Sequence, residues 1–583
     1  MAGEKAAEKA VIRFEHLPMV PGPLAEFNRV RPKVLEDVVS WTVQDLASGD
    51  SPGSNPPGTN SVEMLLGEAL YQERARIRRA RNNVFTYPRK RSDLALLGRI
   101  QSGLLKPMAV VDRQKLLKSL IWHYAEEIGG HFNPKVYEIS TGIVPYGFSW
   151  LLNAASVRRF LPWGMTESLQ SRMQIHGQID ALQKLSKRGT ILLVPTHQSN
   201  IDSLLIGYII HLLRLPPFAY GAGLNLFSNP VFSYFMNNLG AYTVDRAKTN
   251  AIYKQTLKNY STRILREGVH SIFFPGGGRA RSGAIESKVK LGLLGTAMEA
   301  QIENYRENRP NPSVFVVPMV MSYHFVLEAS SLIEDYLVEA GKSRFIPIDE
   351  EPWHLAKIAN FFWRLFGSRS GITVRVGRAL DVFGNYVDDE GHSIGPNGTS
   401  IDPKRWLTTQ GELQLVASRD REYTHELGSR LVERFHRENT VMTSHLVAFS
   451  LFETLRSKYR ELDLYRFIRL SLEQRSLPMA EFLEAARAHH RRLTEAAARG
   501  ELHLDDELKT ADVEAWVKNG VSQLGIFHGS AVVKIEDQAI FTEDLPLLYY
   551  YRNRLSGYGL SLLAAEEGSL YRAGLNDSKG FLA

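Results

Sequence analysis

The segment TILLVPTHQSNIDSLLIGYIIHLL, residues 190–213, sets the frame for the whole chain. Its first six residues, rich in Ile, Leu and Val and closed by Pro195, read as a buried strand. From about Ile201 a longer apolar stretch reads as a helix, and between the two lies a polar turn. His197 sits in that turn and Asp202 follows five residues later. On one continuous helix such a pair would be about 140° out of phase and would not share a face. With His197 in the turn and Asp202 in the first coil of the helix, the imidazole folds back onto the carboxylate. Asp202 then holds one ring nitrogen and leaves the other as a base, which is the base-and-orienter half of a triad without its serine. The competing reading is a helix cap, with Ser199 or Asn200 capping and His197 merely polar.

Outward from this segment, short apolar runs alternate with helical stretches: FAYGAG (218–223), GAYTVDR (240–246), HSIFFP (270–275), VFVVPMVMSY (314–323) and ITVRVG (372–377). The alternation predicts an α/β domain over residues 181–400, with a largely parallel sheet covered on both faces. Residues 61–180 read as helical, because VEMLLGEALYQERARIRRAR and RQKLLKSLIWHYAEEIG space their apolar residues three and four apart. Residues 401–583 return to amphipathic helices such as LGSRLVERFHREN and EFLEAARAHHRRLTEAAARG. SGDSPGSNPPGTN (48–60) reads as a linker that closes an N-terminal segment, 1–60.

Composition narrows the chemistry. The 583 residues contain no cysteine, which removes disulfides, thiolate zinc sites and thiol nucleophiles together. The net charge is +7, and Arg74–Arg91 alone holds eight basic residues and no acidic one, so the remainder is near neutral. Such a stretch suits a phosphate-bearing partner, or else is a solvated helix face and loop. With no zinc-finger spacing, RNP-type aromatic box or compact basic domain, an anionic membrane surface is the expected partner and nucleic acid is not. The N-terminus, MAGEKAAEKAVIRFEH, lacks the apolar region of a signal peptide. The longest apolar run, Leu204–Leu215, is interrupted by His211 and Arg214, so no transmembrane helix is expected. These features predict a cytoplasmic protein with peripheral membrane contact.

A G-x-S-x-G match at Gly49–Gly53 puts Ser51 before Pro52 inside the linker, without the strand and helix that a nucleophile elbow needs. FFPGGGRARSG (273–283) follows an apolar strand, yet it has neither a P-loop lysine nor a complete G-x-G-x-x-G. Taken in order, His197 with Asp202, GAYTVDR ending in Arg246, FFPGGGRARSG, and VVPMVMSY carrying Pro318 resemble the four blocks of the glycerolipid acyltransferases. The likeness is greatest to the large bacterial glycerol-3-phosphate acyltransferases and the related dihydroxyacetone-phosphate acyltransferases. GAGLNLFSNPVFSYFMNNLGAYTVDR (221–246), RENTVMTSHLVAF (437–449) and LLYYYRNRL (547–555) are similar to further stretches of those enzymes. The resemblance implies an acyltransferase core that moves a fatty acyl group from acyl-CoA or acyl-carrier protein to glycerol 3-phosphate, with no cofactor or metal. His197 would be the general base, oriented by Asp202. Arg246, Arg279 and Arg281 would hold the acceptor phosphate, with Lys288 or Lys290 assisting. Gly277 and Gly278 would let the backbone approach closely, and Pro318 would line the substrate.

Three positions depart from the family pattern. Gly276 stands where the third block has Glu, Ala280 where it has Ser, and Gln198 where close relatives have Arg. Glu286, the nearest downstream carboxylate on the same loop, is expected to substitute for the missing one. The departures leave open dihydroxyacetone phosphate or a lysophospholipid as acceptor, and a non-catalytic lipid-binding scaffold as the alternative to an enzyme. An acylated product is poorly soluble, so the reaction belongs at a bilayer surface. Ile358, Phe361, Phe362, Leu365 and Phe366, flanked by Lys357, Arg364 and Arg369, read as an interfacial helix or as ordinary core packing. FSWLLNAASVRRFLPW (148–163) has a comparable mixture.

Overall fold

Strands β2 (Thr190–Pro195) and β6 (Val314–Tyr323) are buried along their entire length. Unbroken runs of Val, Ile, Leu and Phe must be, because only a sheet covered on both faces takes them out of water. The two pair in parallel from Thr190 opposite Val314 to Pro195 opposite Met319. The computed structural model describes residues 19–48, 62–79, 90–106, 109–141, 173–224, 230–340, 371–525, 528 and 530–561. The other strands of the central sheet are β1 (Met173–Gly177), β3 (Ala219–Gly223), β4 (Ala241–Val244), β5 (Ser271–Ile272) and β7 (Ile372–Val376). Their order is β1-β7-β6-β2-β5-β3-β4. Every neighbouring pair is parallel except β6 and β7. The fold is therefore an α/β core on a mixed, mostly parallel sheet. Met173 opens the sheet upstream of the boundary expected at 181, in a stretch whose sequence reads as helical.

Five N-terminal helices, α1 (Pro23–Arg29), α2 (Arg31–Ser48), α3 (Val62–Arg79), α4 (Lys90–Leu104) and α5 (Val110–Ile128), lie against the β3/β4 edge. Val34, Leu66 and Ile121 from these helices share one apolar cluster with Ala219, Tyr242 and the helix Ala251–Arg266. At the other side, a larger cluster runs from Ile209 and Met319 to Phe449, Phe482 and Trp516 in the C-terminal region. The helix Thr443–Lys458 is buried on 13 of its 16 residues, so it is a central pillar of that region and has no solvent face. Both helical regions thus share core with the sheet. Among the described residues no helix is long and apolar enough to cross a membrane. The linker at 49–60, residues 80–89 of the basic stretch, and the segments 148–163 and 357–369 lie outside the described residues.

Candidate active site

Because β2, β4, β5 and β6 run the same way, the residues that follow each of them collect at one sheet edge, where open α/β sheets bind ligands. After β2, the chain turns through His197 and enters the helix Asp202–Leu212. His197 Nδ1 lies 3.0 Å from Asp202 Oδ2. The same oxygen accepts the backbone N–H groups of Gln198 at 2.7 Å and Ser199 at 2.9 Å. Tyr323, the last residue of β6, donates its hydroxyl to Asp202 Oδ1 at 2.6 Å. Asp202 has no solvent exposure, so these four donors replace water completely. Burial and the Asp202 charge push the Tyr323 hydroxyl well above its usual range, so it remains a donor. The His197 ring packs on Phe274 with centroids 4.3 Å apart. No described residue hydrogen-bonds His197 Nε2. The helix has no side-chain cap at its N-terminus: Ser199 Oγ instead donates to Glu328 Oε2 at 2.8 Å, and the Asn200 amide donates to Glu328 Oε1 at 3.1 Å.

The loop after β5 is fastened to this turn. The Ala280 amide donates to the His197 carbonyl at 2.7 Å, and Glu286 Oε1 accepts the His197 amide at the same distance. Gly277 has φ +66°, and a Cβ there would come within 2.7 Å of Lys290 Nζ; a Cβ on Gly278 would stand 3.8 Å from Arg246 Nη1. The two glycines are the floor on which Arg246 and Lys290 converge. Burial first, then the Arg246 charge, lowers the Lys290 pKa, as expected of two cations brought close together. Arg279 lies 3.6 Å from Glu328 and is largely buried, while Arg281 pairs with Glu339 at 2.6 Å on the helix Ala329–Ala340. Pro318 sits in mid-β6 opposite Val194, with its carbonyl accepting Gly377 N–H at 2.9 Å. Lys288 is exposed.

Two groups of residues at this edge escaped the sequence reading. One is an ion cluster that holds the turn after β4, where Arg246 stands. Arg76 of α3, from the basic stretch, is buried and bonds Glu73, Asp93 of α4, and Asp245 at 2.8, 3.2 and 3.2 Å. His123 Nε2 of α5 lies 2.7 Å from Asp93, and Lys248 pairs with Glu127. At least one member of the basic stretch is therefore neither solvated nor open to a phosphate surface. The other is Arg554, near the end of the described chain and fully buried, whose Nε donates to Asn439 Oδ1 at 2.8 Å and Nη2 to the Met321 carbonyl at 2.9 Å. With its amide oxygen turned toward Arg554, Gln198 accepts from Nη2 at 3.1 Å. Periodicity cannot find either group, since their members are up to 356 positions apart along the chain, from Gln198 to Arg554.

Residues 174–322 match the acyltransferase family model, from β1 to the end of β6. The glycerol-3-phosphate acyltransferase of Pseudomonas savastanoi pv. phaseolicola is 28% identical over 297 residues, covering 49% of this chain and 32% of that protein. That of Haemophilus influenzae (strain PittEE) is 30% identical over 182 residues, covering 31% and 21%. The chain thus spans about a third or less of the length of these relatives. The crystal structure of the 1-acyl-sn-glycerophosphate acyltransferase from Thermotoga maritima is similar at 16% identity over 51% of this chain and 92% of that one, with a TM-score of 0.23, too low to bear on the fold.

Proposed function

This chain carries an acyltransferase domain homologous to that of the glycerol-3-phosphate acyltransferases, and from that premise we propose that it transfers a fatty acyl group from a thioester to the sn-1 hydroxyl of glycerol 3-phosphate. The observation that carries the reading is the His197–Asp202 contact at 3.0 Å, which engages Nδ1 and leaves Nε2 without a hydrogen-bond partner among the described residues. An alkanol hydroxyl is un-ionised at neutral pH, so it needs a base as the new bond forms. The acceptor oxygen attacks the thioester carbonyl carbon while His197 Nε2 takes its proton. The C–S bond then breaks, and the imidazolium returns the proton to the departing sulfur. Asp202 keeps Nδ1 as the protonated nitrogen and stabilises the cation in between. The chain contains no cysteine, and among the described residues no serine hydrogen-bonds His197, so direct transfer is simpler than an acyl-enzyme.

Arg246 and Lys290, above Gly277 and Gly278, are the preferred pair for the acceptor phosphate. Arg279 and Arg281 would join them only by releasing Glu328 and Glu339. Pro318, buried in mid-β6 opposite Val194, would act through the packing of that strand. The donor is acyl-CoA or acyl-carrier protein, and an amphiphilic product argues for work at the cytoplasmic surface of a membrane. The test is purified protein with palmitoyl-CoA or palmitoyl-acyl-carrier protein and a panel of phosphorylated acceptors. The expected result is one free thiol per acylated glycerol 3-phosphate, with His197→Ala lowering kcat by about 10²-fold or more. Vesicle binding without transfer to any acceptor would refute the proposal in favour of a lipid-binding scaffold.

A further inference from the structure

Helices α4 and α5 form a hairpin whose tip is apolar where water favours polar residues. Leu105 is 76% exposed, Val110 66% and Val111 60%. Exposed aliphatics scattered singly are ordinary, whereas three within seven positions of one hairpin tip form a patch. α5 begins at Val110 after Ala109, without a side-chain cap, although a helix start in water is normally capped by Ser, Thr, Asp or Asn. The Glu63–Arg113 ion pair at 3.0 Å brings the start of α3 to the same end, together with Met64, which is 53% exposed. The carboxylates nearest the tip, Glu63 and Asp112, are held by Arg113 and Lys115, each at 3.0 Å. Arg99, Lys106 and Lys118 are exposed and make no ion pair among the described residues, against Glu68 on α3, so the excess charge around the tip is positive.

The tip also lies on the side of the sheet where the reaction is placed. α5 runs beside the helix Ala251–Arg266 and in the same direction: Tyr124 packs on Tyr253 with ring centroids 5.3 Å apart, and further on the Gly130 amide donates to the Tyr260 hydroxyl at 3.0 Å. That helix starts just after the turn that carries Arg246 and leads back to the start of β5. Tyr124 is therefore level with the active-site edge, and the part of α5 before it, back to Val111, projects about 20 Å past that edge at 1.5 Å per residue. We propose that the α4–α5 tip inserts into an anionic lipid surface, with Leu105, Val110 and Val111 entering the headgroup region and Arg99, Lys106 and Lys118 facing the lipid charge. Docked in this way, the chain turns the edge that holds His197 and Arg246 toward the bilayer. The inference rests on the acyltransferase reading above, since it is the amphiphilic product that calls for a bilayer at this edge.

The test is flotation of the full chain with vesicles of phosphatidylcholine and phosphatidylglycerol in equal parts, against phosphatidylcholine alone. Burying one aliphatic side chain corresponds to about tenfold or more in partition, so Leu105→Ser, Val110→Ser and Val111→Ser combined should weaken binding by at least about 10²-fold. The melting temperature of that variant and its transfer to glycerol 3-phosphate in detergent micelles should stay at the wild-type level, because all three side chains face outward. Lys106→Glu with Lys118→Glu should erase the preference for the anionic vesicles. The chain has no cysteine, so Leu105→Cys takes a single polarity-sensitive label, whose emission should shift to the blue on the anionic vesicles. Unchanged binding of the triple variant, or a label that stays in water on bound vesicles, overturns the inference. So does a self-associating wild type that the triple variant makes monomeric with no change in vesicle binding, which marks the tip as an interface between copies. Tip-dependent vesicle binding without transfer to any acceptor overturns the acyltransferase reading instead and leaves the docking surface standing.

Discussion

Asp202→Asn separates charge from geometry at the dyad. Asparagine can keep its oxygen where Oδ2 now accepts from His197 and from the amides of Gln198 and Ser199. Its NH2 then faces the Tyr323 hydroxyl, which rotates to accept it. The turn should survive, so the change is the loss of one negative charge next to the imidazolium that forms during transfer. Two opposite charges about 4 Å apart attract by about 4 kcal/mol at an effective dielectric near 20. Removing that from the transition state costs about 10³-fold in kcat. Asp202 has no solvent exposure, so neither substrate is expected to touch it and both KM values should move by less than about threefold. The assay is steady-state thiol release from palmitoyl-CoA over a range of glycerol 3-phosphate, with thermal melting as the fold control. A folded variant that keeps kcat, or one that changes only KM, would show that His197 is not the base or that Asp202 does not serve it.

Two further outcomes follow from the same structure. Arg246→Ala should raise acceptor KM by roughly 10- to 150-fold without a comparable change in thioester KM, and by more than Arg281→Ala, whose guanidinium is held by Glu339. The reverse order would move the phosphate site toward Arg281. On the acid side, burial holds the imidazoles of His270, His324, His436 and His489 down at about 4, against about 6.5 in an unfolded chain. Depressed base pKa values contribute stability that is complete above about 6.5 and is lost as pH falls toward 4. Carboxyls raised by burial, such as Asp505 at about 6, act in the opposite sense and offset part of it. The urea midpoint should therefore drop markedly between pH 7.5 and pH 5, and an unchanged midpoint would contradict the buried neutral histidines.

What the sequence discloses is what lies close together along the chain. The strand, turn and helix at 190–212 are legible because apolar runs, a proline and a polar turn alternate there, and the fold-back of His197 onto Asp202 needs only that local shape. The third-block glycines are legible because Gly277 adopts a backbone conformation that other residues resist. Tyr323 is not: at the end of an apolar strand it looks like one more core residue, and only the pairing of β6 with β2 brings its hydroxyl to Asp202. Strand β1 is missed because MQIHG is short and mixed, and its place is set by β7, almost 200 residues later. Arg76 is misjudged, and Arg554 passed over, for a related reason. Arginine in a basic run, or near a chain end, is ordinarily solvated, and only tertiary packing shows these two to be enclosed.

The buried ion cluster beneath Arg246 constrains how this chain can drift over evolutionary time. Arg76, Lys248 and four carboxylates, Glu73, Asp93, Glu127 and Asp245, come from three helices and a loop, and each is satisfied by another's side chain. Deleting one partner of an enclosed pair strands the other, at a cost of about 3 to 5 kcal/mol, whereas replacing the set together can be neutral. Substitutions here should therefore be strongly epistatic, tolerated in concert and purged singly. A chimera that swapped α3 to α5 for the equivalent part of a relative would inherit half of an interlocked set. Such a graft would lose the seating of Arg246 even if every helix formed, so the N-terminal helices and the β4 turn form one heritable unit.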